Sequence, residues 1–217
     1  MHRIVNNLEE IKAKINQLKP DLHDKIKIIA VSKTFLIKDI EPLIEYGHQD
    51  FGENKVQEAI DKWTDIKDIN DNIQLHLIGR LQTNKVKFAL KIFDYIHSLD
   101  SEKLANKIAD EQQKQKKKPK IFIQVNMGNE DQKSGIDKRN LSDFYRFCKN
   151  LNLDIIGTMC IPPNDGNTEK YFSEMSDMNK ELNFKELSMG MSADYLEAIR
   201  YNATYVRVGS KIFGIRD

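Results

Sequence analysis

The 217-residue sequence predicts a single α/β domain spanning 1–217, a (β/α)8 barrel of the TIM type with one additional helix in front of it. Three observations carry that prediction. Short apolar runs alternate with longer amphipathic stretches from Ile26 to the C-terminus, the pattern of strands that pair in parallel through helical crossovers. The runs number eight, enough to close a barrel where five or six would leave an open sheet. No Gly-x-Gly-x-x-Gly follows the first of them, which counts against a dinucleotide-binding sheet.

The leading helix is read from Ile4, Leu8, Ile11, Ile15 and Leu18, which fall at helical spacing and are followed by Pro20, a residue that cannot continue the pattern. Ile26 to Val31, rich in β-branched residues, is the first strand and ends at Ser32-Lys33-Thr34. A helix carrying Ile40, Leu43 and Ile44 then stops before Gly47, placed to take a left-handed turn. Further strands are predicted at Gln49 to Phe51, Leu75 to Ile78, Tyr95 to Ser98, Ile121 to Asn126, Ile155 to Met159, Glu186 to Ser188 and Tyr205 to Val208. Helices are predicted between them at Lys55 to Trp63, Asn84 to Ile92, Ser101 to Gln113, Leu141 to Asn150, Thr168 to Leu182 and Ala193 to Tyr201.

Charge excludes a global nucleic-acid interface, because 34 basic and 33 acidic side chains nearly cancel. The one basic run, Lys114 to Lys118 with Pro119 and Lys120 behind it, reads as a solvated helix end, where cations are favoured by the exposed carbonyls. A scaffold that binds an anionic partner through that run is the competing reading. The N-terminus enters an amphipathic pattern at once, without a secretory h-region, and no apolar run reaches the roughly 20 residues of a membrane span. A cytoplasmic protein is expected, with no membrane partner and with Cys148 and Cys160 as reduced thiols rather than a disulfide or zinc site.

In such a barrel the strands' C-terminal ends build the active face. Lys33 closes an apolar strand there, where desolvation would favour the neutral amine that attacks an aldehyde or ketone; a lysine merely snorkelling to solvent is the bland reading. Gly190 and Gly209 sit at strand-to-helix turns beside Ser188, Ser192 and Ser210. Glycine amides, hydroxyls and a helix start make a phosphate cradle, although they could equally serve as turns and caps. A lysine facing such a cradle fits either pyridoxal phosphate or a phosphorylated sugar held by a Schiff-base aldolase.

Six blocks in order then become recognisable: Ala30 to Thr34, Phe51 to Glu58, His76 to Lys85, Lys133-Ser134-Gly135, Leu187 to Ser192 and Val206 to Gly214. With these the chain resembles, from end to end, the YggS/PROSC family of pyridoxal-phosphate homeostasis proteins, whose alanine-racemase-like barrel is that of the fold-type III pyridoxal enzymes. The resemblance implies pyridoxal 5′-phosphate (PLP) as cofactor, a Schiff base on Lys33, a phosphate held by Ser188, Ser192, Gly209 and Ser210, and Gly190 in the same cofactor site. It further implies that Arg207 faces the pyridine nitrogen and that Asn54 and His76 line the face of the ring. A guanidinium donates hydrogen bonds and accepts none, so a nitrogen facing it stays largely unprotonated and the ring is a weaker electron sink. Cys160 stands where a small residue is more usual in the family, and the sequence stops at Arg216-Asp217 where many relatives run on.

Racemases of this class take a second acid/base group from a further domain, for which the sequence shows no counterpart after its eighth strand. The expectation is therefore a monomeric carrier that holds PLP reversibly, contributes to vitamin B6 homeostasis, and releases the cofactor to apo-enzymes, without robust catalysis. A weak PLP-dependent racemase and a Schiff-base aldolase stand as the enzymatic alternatives.

Overall fold

In the computed structural model, which describes residues 2–128 and 134–214, the apolar stripe of the leading segment forms α1 (Arg3–Leu18). It buries Ile4, Val5, Leu8, Ile11 and Ile15, starts on the His2 side chain, which accepts from the Ile4 amide, and ends one residue before Pro20 at a Lys19 cap. The repeat follows as β1 (Lys27–Val31), α2 (Ile37–Glu45), β2 (Asp50–Glu53), α3 (Val56–Ile69), β3 (Gln74–Leu77), α4 (Val86–Ile92), β4 (Tyr95–Leu99) and α5 (Glu102–Gln115). It continues as β5 (Lys120–Asn126), β6 (Ile136–Asp137), α6 (Leu141–Asn150), β7 (Asp154–Cys160), α7 (Thr168–Glu181), β8 (Glu186–Met191), α8 (Tyr195–Arg200), β9 (Tyr205–Val208) and α9 (Ser210–Phe213).

All strand pairs are parallel, and the order β1-β2-β3-β4-β5-β7-β8-β9 returns to β1, so eight strands close the predicted barrel. The ninth, β6, is a two-residue strip beside the end of β5, too short to leave a period in the sequence. Closure removes every sheet edge from the eight-strand ring. Two apolar compartments result. The larger fills the space between strands and helices, with Trp63, Leu43, Ile40 and Phe172 fully buried there. The smaller occupies the barrel interior and consists of Ile29, Tyr95, Phe122, Met159 and Tyr205. α1 lies across α8 and α9, where Asn7 donates to the Ile212 carbonyl at 2.8 Å.

Elements differ from the sequence reading where polar residues are buried or segments are short. β2 runs on to Glu53, past the predicted end at Phe51, because that carboxylate is fully buried and finds partners inside the protein. β8 extends beyond Ser188 to Met191. α3 continues to Ile69, α2 tolerates Pro42 in its interior, and the four-residue α9 was visible only as a helix start. Gly47 does adopt a left-handed conformation after α2, at φ +88. Of the residues quoted for the family resemblance, Lys133 lies outside the described residues, as do Arg216 and Asp217.

The basic run behaves as a helix end. Lys116 takes a left-handed conformation after α5, Lys117 donates to the Lys91 carbonyl and Lys118 to the Asn152 side chain. Cys148 and Cys160 are buried free thiols, each pushed up to about 12 by burial. Among the described residues no helix is long and apolar enough to cross a membrane, and no cluster of His, Cys, Asp and Glu could hold a metal ion.

Candidate functional site at the C-terminal mouth of the barrel

A hollow of about 550 Å³ opens where β1, β2, β7, β8 and β9 end, and Lys33, Asn54, Ser192, Arg207, Gly209 and Ser210 line it together. These residues come from four different strand ends, as expected of a barrel whose function is grafted onto its loops. Apolar walls complete the hollow: Val31, Phe35, Ile78, Ile161 and Met191, none of which the sequence reading assigned to the site.

Lys33 lies in the turn after β1, half-buried, rather than within the strand itself. A buried polar cluster braces that turn. Glu53, fully buried, accepts through one oxygen from the Ser32 hydroxyl at 2.8 Å, the Lys62 ammonium at 2.9 Å and the Trp63 indole at 3.0 Å. Lys62 also donates to the Ser32 carbonyl and to Glu58, and Glu58 accepts from the Thr34 amide. The residue after Lys33, Thr34, sits at φ 66, a conformation that costs a residue with a branched Cβ and persists only where its surroundings hold it. Lys33 is thus presented from a fixed turn. Burial raises the Glu58 carboxyl, but the Thr34 amide and the Lys62 hydrogen bond outweigh it and hold the group below the usual carboxylate range.

Across the hollow, the Ser192 hydroxyl accepts from the Gly209 amide at 3.1 Å and from the Lys211 amide at 3.5 Å, tying the turn after β8 to the start of α9. The first turn of a helix leaves its amides without intrahelical acceptors, and here the Ser210 hydroxyl joins them on the wall. Gly190 carries φ +87 and an added Cβ would meet that of Ala198 at 2.5 Å, so only glycine fits under the turn. Gly79 plays a similar part for Asn54, whose backbone oxygen would lie 2.3 Å from a Cβ there.

Three of the residues assigned to the site do not line the hollow: Gly190, within β8, shapes the turn, and Ser188 and His76 lie beneath. Ser188 is fully buried and holds Arg207, whose Nη1 donates to its hydroxyl at 2.7 Å. His76 does not reach the ring-facing wall: it is fully buried in the barrel interior, its Nε2 3.0 Å from Asp50 and its Nδ1 3.0 Å from Nε2 of His97. It sits one residue before the end of β3 and points inward. His97, which sequence reasoning passed over, is likewise fully buried and sits 2.9 Å from the Ser188 hydroxyl. Its signal was present: a histidine two residues into β4 shares the inward face of Tyr95, a place normally taken by an apolar side chain. Arg207 is 4% exposed and also donates to the Cys160 carbonyl at 2.9 Å, so the departure at Cys160 touches the site through its backbone. Burial pulls the guanidinium below its usual range, opposed by Cys160 and Asp194.

The donor set has a clear chemical meaning. An amine on one wall, hydroxyls and helix-start amides on another, a donor-only guanidinium below and apolar sides suit a flat ring that carries a carbonyl and an anionic tail.

The profile of the "Alanine racemase, N-terminal domain" family matches residues 6–217. The "Pyridoxal phosphate homeostasis protein" of Pasteurella multocida is 36% identical over 203 residues, covering 88% of this chain and 87% of that one. Its Escherichia coli namesake is 31% identical over 230 residues, covering 100% and 98%. The structure of PipY from Synechococcus elongatus with PLP bound superimposes with a TM-score of 0.83 at 33% identity, over 94% of this chain and 100% of that one. An alanine racemase from Clostridium difficile, at 16% identity and a TM-score of 0.75, shares the fold, and this chain spans 57% of its length. With a family profile over nearly all of its length and curated relatives above 30% identity across it, the chain belongs to the pyridoxal phosphate homeostasis proteins, built on the alanine racemase N-terminal barrel.

Proposed function

We propose that this protein binds PLP in the hollow at the barrel mouth, holds it as a Schiff base on Lys33, and acts as a reversible carrier in vitamin B6 homeostasis. One observation carries the reading: Lys33 lines the same hollow as Arg207, Ser192, Gly209 and Ser210. The amine of Lys33 would bond to the aldehyde carbon with loss of water. Ser192 and Ser210 would take the phosphate, and Asn54 would lie against the ring. PLP supplies an electron-withdrawing ring and an aldehyde. The protein moderates the first, because Arg207 can only donate toward the pyridine nitrogen and leaves it largely unprotonated.

Release to apo-enzymes forms part of the same proposal. The mouth is open, and Met191 and Ile161 on its rim are 40% and 41% exposed, which gives a partner protein an apolar edge to approach. The test is the visible spectrum of the purified protein after incubation with PLP, followed by borohydride reduction and peptide mapping, with Lys33→Ala alongside. A yellow band lost in the variant and a pyridoxyl group mapped to Lys33 are the expected results. A wild type that stays colourless and unlabelled sinks the proposal, and labelling only in the presence of a phosphorylated sugar would move it to an aldolase.

A further inference from the structure

The barrel interior holds a feature that the cofactor site does not use directly. A continuous series of hydrogen bonds crosses it from the floor to the mouth. It begins at Asp50, the first residue of β2 and so at the strands' N-terminal end, where Lys27 lies 3.2 Å away. It passes from Asp50 to His76 at 3.0 Å, from His76 to His97 at 3.0 Å, from His97 to Ser188 at 2.9 Å, and from Ser188 to Arg207 at 2.7 Å. All of His76, His97 and Ser188 are fully buried. The two imidazoles are clamped flat, His76 against Tyr95 with centroids 4.2 Å apart and His97 against Phe122 at 4.3 Å.

The carboxylate end decides the direction of the bonds between the rings, since the Ser188 hydroxyl can accept from Arg207 in either order. A guanidinium can only donate and a carboxylate can only accept. Burial alone would raise the Asp50 carboxyl, but the hydrogen bond from His76 and the charges around it keep it below its ordinary value, so it is ionised. Burial holds both histidines below theirs, so each is neutral with one N–H. Arg207 then donates to Ser188, the Ser188 hydroxyl to Nδ1 of His97, Nε2–H of His97 to Nδ1 of His76, and Nε2–H of His76 to Asp50. The reverse order would turn a lone pair of His76 toward the carboxylate. Asp50 alone forbids it.

We propose that Asp50, His76, His97 and Ser188 form one directed positioning chain for Arg207, in which a carboxylate at the floor of the barrel fixes the proton positions that orient the guanidinium toward the cofactor's ring nitrogen. The hydrogen bonds of Arg207 itself go to two neutral groups, Ser188 and the Cys160 carbonyl, and the chain links the first of these to a carboxylate. This inference rests on the PLP reading for its purpose and on the interior geometry for its existence, and the two are separable by experiment.

Asp50→Asn is the discriminating variant, because a carboxamide keeps the shape yet can donate to His76 and so permits the reversed order. Nitrogen-15 NMR of the apo protein should show His76 and His97 neutral and protonated on Nε2 in the wild type, with the Nδ1-protonated forms of both appearing together in Asp50→Asn. Loaded with PLP, Asp50→Asn should titrate its visible band at a pH displaced from that of wild type. Ser188→Ala, which cuts the chain beside Arg207, should do the same and weaken PLP binding by about tenfold to a hundredfold, the size of one hydrogen bond to a charged group. Should Asp50→Asn fail to fold, Ser188→Ala carries the test. The proposal is overturned by a wild-type His97 protonated on Nδ1, or by loaded variants whose spectra titrate as wild type does. A wild type that takes up no PLP would remove the purpose of the chain, while the apo histidine signals would still report whether the chain exists.

Discussion

Single residues decide how the mouth is shaped. Gly190 is the sharpest case, because its φ of +87 and the Ala198 contact act together. Gly190→Ala should lower stability by about 1 to 3 kcal/mol, read from urea midpoints, and should weaken PLP uptake because the turn carrying Ser192 moves. A variant as stable and as well loaded as wild type would contradict the close fit. Residue roles were unevenly legible in the sequence. Lys33, Asn54, Ser192, Arg207, Gly209 and Ser210 stand at strand ends, where position along the chain implies position at the mouth. His76 stands one residue short of its strand end, as Arg207 does, and both point inward; alternation alone does not tell which inward side chain reaches the mouth and which stays in the interior. Glu58 and Lys62 carry no such mark, since a half-buried ion pair on α3 depends on what β1 and β2 bring against it.

At the scale of elements, most periodic segments were legible to within a few residues, α3 running six past its expected end, and the aperiodic ones were not. α1 and α5 announce themselves by apolar spacing and by their ends; Ser101 caps α5 by accepting from the Leu104 amide. β6 and α9 are too short to have a period, and α9 exists because Gly209 and Ser192 fold the chain back under α1. The end of α5 offers a test of the bland reading of the basic run. Lys116 holds a left-handed φ of 53, a conformation that glycine adopts at no steric cost. Lys116→Gly should raise the melting temperature, by about 0.5 to 1 kcal/mol in stability, and leave PLP uptake unchanged. A drop in stability would mean that the lysine side chain contributes more than its backbone costs.

The whole molecule should be acid-sensitive, and the direction follows from its histidines. Burial, opposed by Asp50, lowers His48 to about 4, while the unfolded chain binds that proton near 6.5. Between these values the unfolded state holds more protons, so stability is full above about pH 6.5 and is lost as pH falls toward about 4, by up to about 3 kcal/mol from His48 alone. His76 and His97 shift in the same direction. Urea unfolding at neutral pH and near pH 4.5 would measure the loss, and His48→Gln should reduce it; a flat profile would show that these rings are not buried in the neutral form. Barrel closure was readable in the sequence as a count of strands. The polar line through its centre was not, because neighbours in that line are drawn from β2, β3, β4, β8 and β9 and are up to 91 residues apart.

That line also gives the interior a clock. The protons on His76 and His97 sit on fully buried rings stacked against Tyr95 and Phe122, so they trade with water through openings of the interior. Their lifetime counts the rare openings of the barrel itself, separately from the far more frequent comings and goings at its mouth.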